Sequence, residues 1–246
     1  MLEPLVRKIL TIAIAGGAMA ILLRQCRKPA WWLGRLIVRN MNVRHARLTN
    51  WGLSHVPLEK SFTMLDVGCG GGRTIDTLAS AATDGKVYGV DYSPASVATA
   101  RRTNAARIER GQVDIQQGSV SALPFPADMF DVVTAVETHY YWPNLDADLR
   151  EILRVLKRGG ALVMIAETYR ERRMDWLYRP VMGLLRATYL TVDEHRALFE
   201  RAGFEQVEVF TERSRGWICV IGRREGSSSR PGYRTDVRSR PRNEGS

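Results

Sequence analysis

The sequence predicts an α/β fold in which a doubly wound, seven-stranded and mostly parallel sheet is covered by helices on both faces. Between residues 61 and 222, apolar runs alternate with helical patterns. The runs are continuously apolar, which is typical of parallel strands buried on both sides. The last two runs are too close together for a helical crossover, so we expect them to form an antiparallel hairpin at one edge of the sheet.

The elements of this domain follow from the pattern in chain order. Apolar runs predict strands at 62–68, 86–93, 113–119, 130–138, 161–167, 204–212 and 216–223. Helical patterns fill 72–82, 93–108, 146–157 and 191–203. Pro94 fits the first turn of the second helix, and Gly159-Gly160 predicts the end of the third. Thr191 and Glu194 predict a capping box at the start of the last helix.

Charge divides the chain into a nearly neutral body and two basic ends. The formal net charge is +10, of which residues 1–48 carry +8 and residues 222–246 carry +4, leaving −2 for the middle. A nucleic-acid enzyme would carry its basic surface around the site, so this distribution argues against a nucleic-acid substrate. Residues 223–246, rich in Arg, Ser, Gly and Pro, predict a disordered basic tail.

Residues 1–28 form an apolar and basic N-terminal extension. An uncharged run at 9–23 is shorter than a membrane span of about 20 residues and has basic residues on both sides. Three interpretations remain: a membrane anchor, an apolar helix packed on its own protein, or an unstructured extension with Met19 as an alternative start. We expect a cytoplasmic protein, attached to the inner face of the membrane if the first interpretation holds.

The cysteines and histidines predict neither disulfides nor a metal site. Three widely spaced cysteines, Cys26, Cys69 and Cys219, fit a reducing compartment. The four histidines are scattered and no metal-ligand spacing occurs, so no structural metal is expected.

The glycine-rich turn after the first strand points to a ligand. The stretch "LDVGCGGGRT" places Asp66 before Gly68, Cys69 and Gly70, and its glycines permit positive φ and a close backbone approach. A dinucleotide fingerprint would need a third glycine at residue 73, where Arg73 stands. The motif instead resembles (D/E)-x-G-x-G-x-G of the class I S-adenosylmethionine (SAM)-dependent methyltransferases, a resemblance that covers residues 61–221 and implies their Rossmann-like sheet.

Further motifs carry the same resemblance. Asp91, which ends the second strand, matches the acid that holds the ribose hydroxyls of SAM in that family, and Tyr92 is placed to cover adenine. The stretch "QQGSVSALPFPADMFDVV" resembles the family's "GDAxxLPFxDxxFD", with Ser119 and Val120 in place of Asp and Ala. "RVLKRGG" matches "RVLKPGG" with Arg158 in place of Pro. The resemblance therefore implies SAM as the cofactor, with Asp66, Gly68, Cys69, Gly70 and Glu137 completing its binding site.

The predicted acceptor side has three parts. Residues 29–60 resemble an N-terminal helical cap, which would bring His45, Thr49 and Trp51 near SAM or the substrate. The alternative is that Leu48, Trp51 and Leu53 pack the helix down. After the fourth strand, "VETHYYWPN" offers His139 and Glu137 as general bases and Tyr140 and Tyr141 as walls. The insertion at 168–190 resembles a substrate lid, to which Trp176 and Tyr178 would contribute.

These expectations favour SAM-dependent methyl transfer to a small, hydrophobic acceptor. Methyl transfer from a sulfonium depends largely on positioning, so the sequence need not contain a conventional catalytic residue. Two alternatives remain: a non-catalytic SAM-binding or scaffold protein, and an NAD(P)-dependent oxidoreductase, against which Arg73 argues. The sequence does not predict the oligomeric state.

Overall fold

The computed structural model describes residues 46–170, 175–184 and 187–226. The predicted extension at 1–28, the first part of the predicted cap and nearly all of the predicted tail lie outside these ranges.

One sheet of seven strands organises the described part of the chain. The strands are β1 Thr63–Val67, β2 Lys86–Asp91, β3 Val113–Gln117, β4 Phe130–Val136, β5 Leu156–Ala166, β6 Glu205–Glu212 and β7 Trp217–Arg223. Their order is β3-β2-β1-β4-β5-β7-β6. The first five pair in parallel, and β7 pairs antiparallel with both β5 and β6. The predicted fold class, including the C-terminal hairpin, is confirmed.

Seven helices accompany the sheet in the described ranges. Helix α1 covers residues 46–53, followed by α2 Arg73–Ala81, α3 Pro94–Thr103, α4 Ala105–Glu109, α5 Leu145–Val155, α6 Asp175–Leu184 and α7 Val192–Ala202. Apolar side chains of α1, α2 and α3 form one buried cluster with the sheet, and those of α5 and α7 form another. The strand order reverses direction between β1 and β4, which places a crevice at their carboxyl ends.

The capping box of α7 is formed as predicted. The Thr191 hydroxyl accepts from the backbone N–H of Glu194, and the Glu194 carboxylate accepts from the N–H of Thr191. Gly203 ends the helix in the left-handed conformation, with φ of 101°. Between these two ends, α7 packs against α5, β6 and β7.

The predicted end of the third long helix is wrong by two residues. Helix α5 ends at Val155, and the chain is already extended at Leu156, where β5 begins. The two glycines predicted to end the helix instead lie inside β5, where Gly159 has a φ of 76°. A Cβ on Gly160 would lie only 2.9–3.1 Å from three backbone carbonyl oxygens, so the glycine allows β5 to pass close to β4.

The predicted helix at 93–108 is divided at Asn104. Its side chain is buried, and Nδ2 donates to the carbonyl of Ala100 at 3.0 Å and to that of Gly72 at 2.9 Å. The second bond ties the end of α3 to the glycine-rich turn after β1. At the break in the helix, the side-chain amide of Asn104 therefore contacts both α3 and the glycine-rich turn.

Helix α1 packs on the carboxyl-terminal part of β5 and on the amino-terminal part of the antiparallel β7. A Cβ on Gly52 would lie 2.4 Å from the side chain of Ile165, and the Cys219 thiol lies 3.6 Å from the Gly52 carbonyl. The ring of Trp51 lies 5.7 Å from that of Trp217 on β7. The packing interpretation of Trp51 accounts for these contacts.

None of the helices within the described ranges has the length and apolar character that crossing a membrane requires.

We predict that Gly160→Ala lowers the free energy of unfolding by about 1–3 kcal/mol, because the added methyl group meets backbone atoms on both strands. Urea denaturation measures the change. Gly183→Ala in α6 is the matched control, since a Cβ there meets nothing within 4 Å, and it should cause no loss. Equal stability of the Gly160→Ala variant and the wild type would contradict the close approach.

Candidate functional site

The site is built on the turn that joins β1 to α2. The backbone N–H groups of Gly68 and Cys69 both donate to the carbonyl of Val90, at 2.7 and 3.0 Å. Gly72 donates to the carbonyl of Cys69 at 2.8 Å and closes the turn before α2 begins. These bonds hold the turn against the end of β2, at the crevice where the strand order reverses.

The glycines of this turn have different tasks. Gly68, Gly70 and Gly72 have positive φ values of 72°, 51° and 79°. A Cβ on Gly68 would collide with the Thr138 hydroxyl at 2.1 Å, and one on Gly72 would collide with Asn104 at 2.6 Å. A Cβ on Gly70 would meet only a carbonyl oxygen at 4.0 Å, so the turn is open at this one position. Gly70 therefore leaves room for a ligand to approach the backbone.

Asp91 joins this turn to the end of β2. One carboxylate oxygen accepts from the N–H of Gly70 at 2.9 Å, and the other accepts from the N–H of Ser93 at 2.8 Å. Burial raises the pKa of Asp91, and the two backbone N–H groups oppose that rise. The Ser96 side chain also hydrogen-bonds to this carboxylate. An ionised carboxylate offers about four acceptor positions, so about one remains for a donor from a ligand.

Asp66 lies beneath the turn and out of contact with solvent. The Thr134 hydroxyl on β4 donates to its carboxylate at 2.7 Å. Burial raises the pKa of Asp66 to about 7, while this hydrogen bond from Thr134 lowers it. The nearby Asp91 adds a smaller upward contribution. Asp66 therefore bridges β1 and β4 just before the turn, as a group that is partly protonated near neutral pH.

The remaining residues predicted to bind the cofactor lie around the crevice with different exposures. Cys69 and Val120 are buried, whereas Ser119 is exposed and Tyr92 is 45% exposed. The Ser119 hydroxyl accepts from the N–H of Ser121 at 3.2 Å. Burial raises the pKa of the Cys69 thiol well above its usual value, which leaves it a neutral packing group. Tyr92 is one of three large apolar side chains that are exposed in the described ranges.

Glu137 lies at the carboxyl end of β4 with a φ of 57°, a value that non-glycine residues seldom adopt. Its carboxylate accepts from the backbone N–H of Glu167 and lies 3.3 Å from the Tyr140 hydroxyl. Strain of this kind is concentrated at functional sites, where surrounding contacts hold it in place. Glu137 thereby joins the end of β4 to the segment that follows β5.

His139 is buried beside a second histidine that sequence reasoning did not single out. Its ring lies 5.5 Å from that of His195 on α7 and 4.2 Å from that of Tyr140. Neither ring nitrogen of His139 has a hydrogen-bond partner among the described residues, and neither does Nε2 of His195. Burial lowers the pKa of His139 well below its usual value, and His195 adds to the effect.

His195 has a defined orientation. Its Nδ1 lies 2.7 Å from the carbonyl of Thr191, so Nδ1 carries the proton and donates it, while Nε2 is an acceptor. Burial lowers the pKa of His195, and the Thr191 carbonyl opposes that effect. The sequence signal that could have identified this residue is its spacing of four from the capping Thr191, which turns it back toward the sheet.

Tyr140 connects this region to the predicted lid. Its buried hydroxyl lies 3.1 Å from both the carbonyl and the N–H of Thr168, and its own carbonyl accepts from the N–H of Thr188 at 2.8 Å. Tyr141 is half-buried and packs beside Tyr140, with the two ring centroids 6.2 Å apart. Both tyrosines therefore lie next to the predicted acceptor side.

The predicted lid contains helix α6. Its Met182 is buried in the core, whereas Trp176 is 72% exposed and lies on the outer side of the helix. An exposed ring does not wall a pocket, so this placement does not support the predicted substrate role of Trp176. The side chain of Tyr178 and all of His45 lie outside the described residues.

The crevice fits SAM on its own chemistry. The open position at Gly70 lets a ligand reach the turn, and the remaining acceptor capacity of Asp91 suits a ribose hydroxyl. Tyr92, next in the chain, presents an exposed aromatic face to cover a base. No group of three or more potential metal ligands occurs within residues 46–170, 175–184 and 187–226.

Comparisons with known proteins agree with this geometry. Residues 65–164 match the methyltransferase domain family. The chain is 30% identical over 182 residues to (+)-O-methylkolavelool synthase of Herpetosiphon aurantiacus. That alignment covers 73% of this chain and 63% of the relative. It is 39% identical over 103 residues to the demethylmenaquinone methyltransferase of Symbiobacterium thermophilum. That alignment covers 42% of this chain and 41% of the relative. The chain therefore covers less than two thirds of the length of each of these two relatives.

A solved structure shows the same fold. A SAM-dependent methyltransferase from Aquifex aeolicus superimposes with a TM-score of 0.64 at 20% identity. The superposition covers 77% of this chain and 98% of the other protein.

We predict that Asp66 makes the protein less stable as pH rises from about 4 to about 7. Its pKa is raised from 3.8 to about 7, so the folded state binds more protons than the unfolded state in this window. Urea denaturation across this pH range, compared with Asp66→Asn, isolates the effect because histidine contributions are common to both proteins. The stability of the wild type relative to the variant should fall with pH; parallel curves would contradict the raised pKa.

Proposed function

Because the chain belongs to the class I SAM-dependent methyltransferases, we propose that it transfers the methyl group of SAM to a small, apolar acceptor. The proposal rests mainly on the glycine turn, which leaves open space at Gly70. The backbone N–H of Gly70 donates to the Asp91 carboxylate. When bound, SAM supplies an activated methyl group on a sulfonium with a neutral leaving group. The chain's own task is to bind, orient and enclose the two reactants.

In this proposal the cofactor is held by the residues around the turn. Asp91 accepts from a ribose hydroxyl, and the backbone at Gly68, Cys69 and Gly70 lines the crevice. Tyr92 covers the adenine, while Ser119 and Val120 border it. Asp66 acts through its support of the turn.

Glu137 is proposed to hold the end of β4 at the junction between cofactor and acceptor. Its carboxylate accepts from the Glu167 N–H, and we propose that it also contacts the ammonium group at the methionine end of the cofactor. The left-handed φ of Glu137, 57°, supports a functional role for this residue.

The proposed acceptor is apolar. The lid side that meets Tyr140 and Tyr141 includes Met182, Tyr189 and Leu190, all of which pack with the apolar core. Two relatives named above are O-methylkolavelool synthase and demethylmenaquinone methyltransferase. Their names support a small-molecule acceptor for this chain as well.

For an acceptor with a protonated oxygen or nitrogen, we propose His139 as the base. Its lowered pKa keeps the imidazole neutral at physiological pH, which is the form that accepts a proton. Both of its ring nitrogens lack partners in the described part of the chain, so one is free to face an acceptor group. His195 packs against it and fixes its surroundings.

We predict that Asp91→Ala weakens SAM binding by more than tenfold, which corresponds to about 1.4 kcal/mol, because the ribose acceptor is lost. Isothermal titration calorimetry measures the change. Asp114→Ala removes the same charge from an exposed position on β3 and is the control. If both variants bind SAM like the wild type, the ribose assignment fails.

We predict that His139→Gln lowers kcat by about 100-fold or more for a hydroxylated acceptor, because glutamine cannot take the proton. Formation of S-adenosylhomocysteine with a panel of apolar phenols and alcohols gives the rate. His55→Gln is the control for loss of a partly buried imidazole, because the His55 ring stacks on Phe210 at 4.1 Å. A kcat within threefold of the wild type would remove His139 from the reaction.

A further inference from the structure

Helix α6 presents an apolar stripe to solvent. Trp176, Pro180 and Leu184 are all exposed, and their spacing of four residues places them on one side of the helix. Trp176 is 72% and Leu184 67% exposed, the two highest values among large apolar side chains in the described ranges. Burial of Met182 on another side of the helix fixes which side faces outward.

The stripe lies beside the proposed acceptor site. The N–H of Ala187, just beyond α6, donates to the carbonyl of Met182 at 3.0 Å, and the next N–H, from Thr188, donates to Tyr140 at 2.8 Å. At the other end of the helix, the Tyr189 hydroxyl donates to Asp175. The exposed stripe is therefore connected through few bonds to the tyrosine that borders the acceptor.

The sequence segment that contains α6 is net positive, although the body of the protein is not. Residues 168–190 contain five arginines and two acids, whereas residues 49–221 together carry −2. Arg179 lies on the exposed side of α6 between Trp176 and Leu184, with its side chain 67% exposed. Its ion pair with Asp175, at 3.3 Å, is solvent-exposed and weak.

We propose that this face of α6 docks on an anionic lipid surface. A helix with Trp and Leu on one face and arginine among them is suited to the boundary between headgroups and acyl chains, and Trp is enriched at that depth. Arginines near such a surface are attracted by anionic headgroups. The run at 9–23 with basic residues on both sides has the same chemistry in sequence. Docking would bring the acceptor side of the enzyme to the phase in which apolar molecules dissolve.

Vesicle sedimentation of the full-length chain tests the proposal. We expect binding to vesicles of phosphatidylcholine and phosphatidylglycerol at 3:1, and weaker binding to phosphatidylcholine alone. Trp176→Ser combined with Leu184→Ser should weaken partitioning at least tenfold, and Arg179→Glu should weaken it severalfold. Arg110→Glu is the matched charge control, because Arg110 is exposed just before β3 begins, at the opposite edge of the sheet.

A second measurement separates insertion of α6 from binding through another segment. With brominated lipids, Trp176→Phe should reduce the quenched share of tryptophan fluorescence while partitioning is kept. The proposal would be overturned if the wild type did not bind the vesicles, or if it bound neutral and anionic vesicles equally. It would also be overturned if the variant with both Trp176→Ser and Leu184→Ser bound as well as the wild type. A wild-type dimer that this double variant dissociates would overturn it too. SAM titration of the same variants reports separately on the proposed function and should be unchanged.

Discussion

The rest of the site depends on one carboxylate. Asp91 accepts hydrogen bonds from the backbone on both sides of the crevice, from Gly70 in the turn after β1 and from Ser93 at the start of α3. Two strands and two helices are thereby fixed relative to each other at the point where the sheet reverses direction. Because the carboxylate is buried and already oriented, little reorganisation is needed when a ligand brings its own donors. In the function proposed above, Asp91 combines this structural role with binding of the cofactor.

Three glycines of the same turn meet different structural requirements. Gly68 and Gly72 are required by neighbours, since the Thr138 hydroxyl and the Asn104 amide occupy the space that a side chain would need. Gly70 has no such neighbour and leaves its space open. Sequence alone assigns one motif to all three residues, whereas the structure separates the two that pack against neighbours from the one whose space is open.

Sequence patterns predicted the sheet well because continuous apolar runs and the capping box are local signals. They located β1, β2 and the C-terminal hairpin, and they placed Asp91 at the end of β2. They failed where tertiary contacts decide. The end of α5 depends on how closely β5 passes β4 at Gly160, and the break at Asn104 depends on a carbonyl 32 residues away. His195 was missed because its partner, His139, is distant in sequence and adjacent only in the fold.

Helix α6 of the predicted lid has one side that packs in the core and another side that exposes large apolar side chains. Its inner side must pack with the core through Met182, and its outer side carries Trp176 and Leu184 without cover in the described structure. Burying each of those side chains would stabilise the protein by about 1.5–3 kcal/mol, so leaving both in water is a cost that folding alone does not explain. A lipid phase recovers that free energy without a complementary protein surface. It would also raise the local concentration of an apolar acceptor next to Tyr140. On this argument the exposed stripe and the acceptor site belong to one function, in which the surface that holds the enzyme in place is also the source of its substrate.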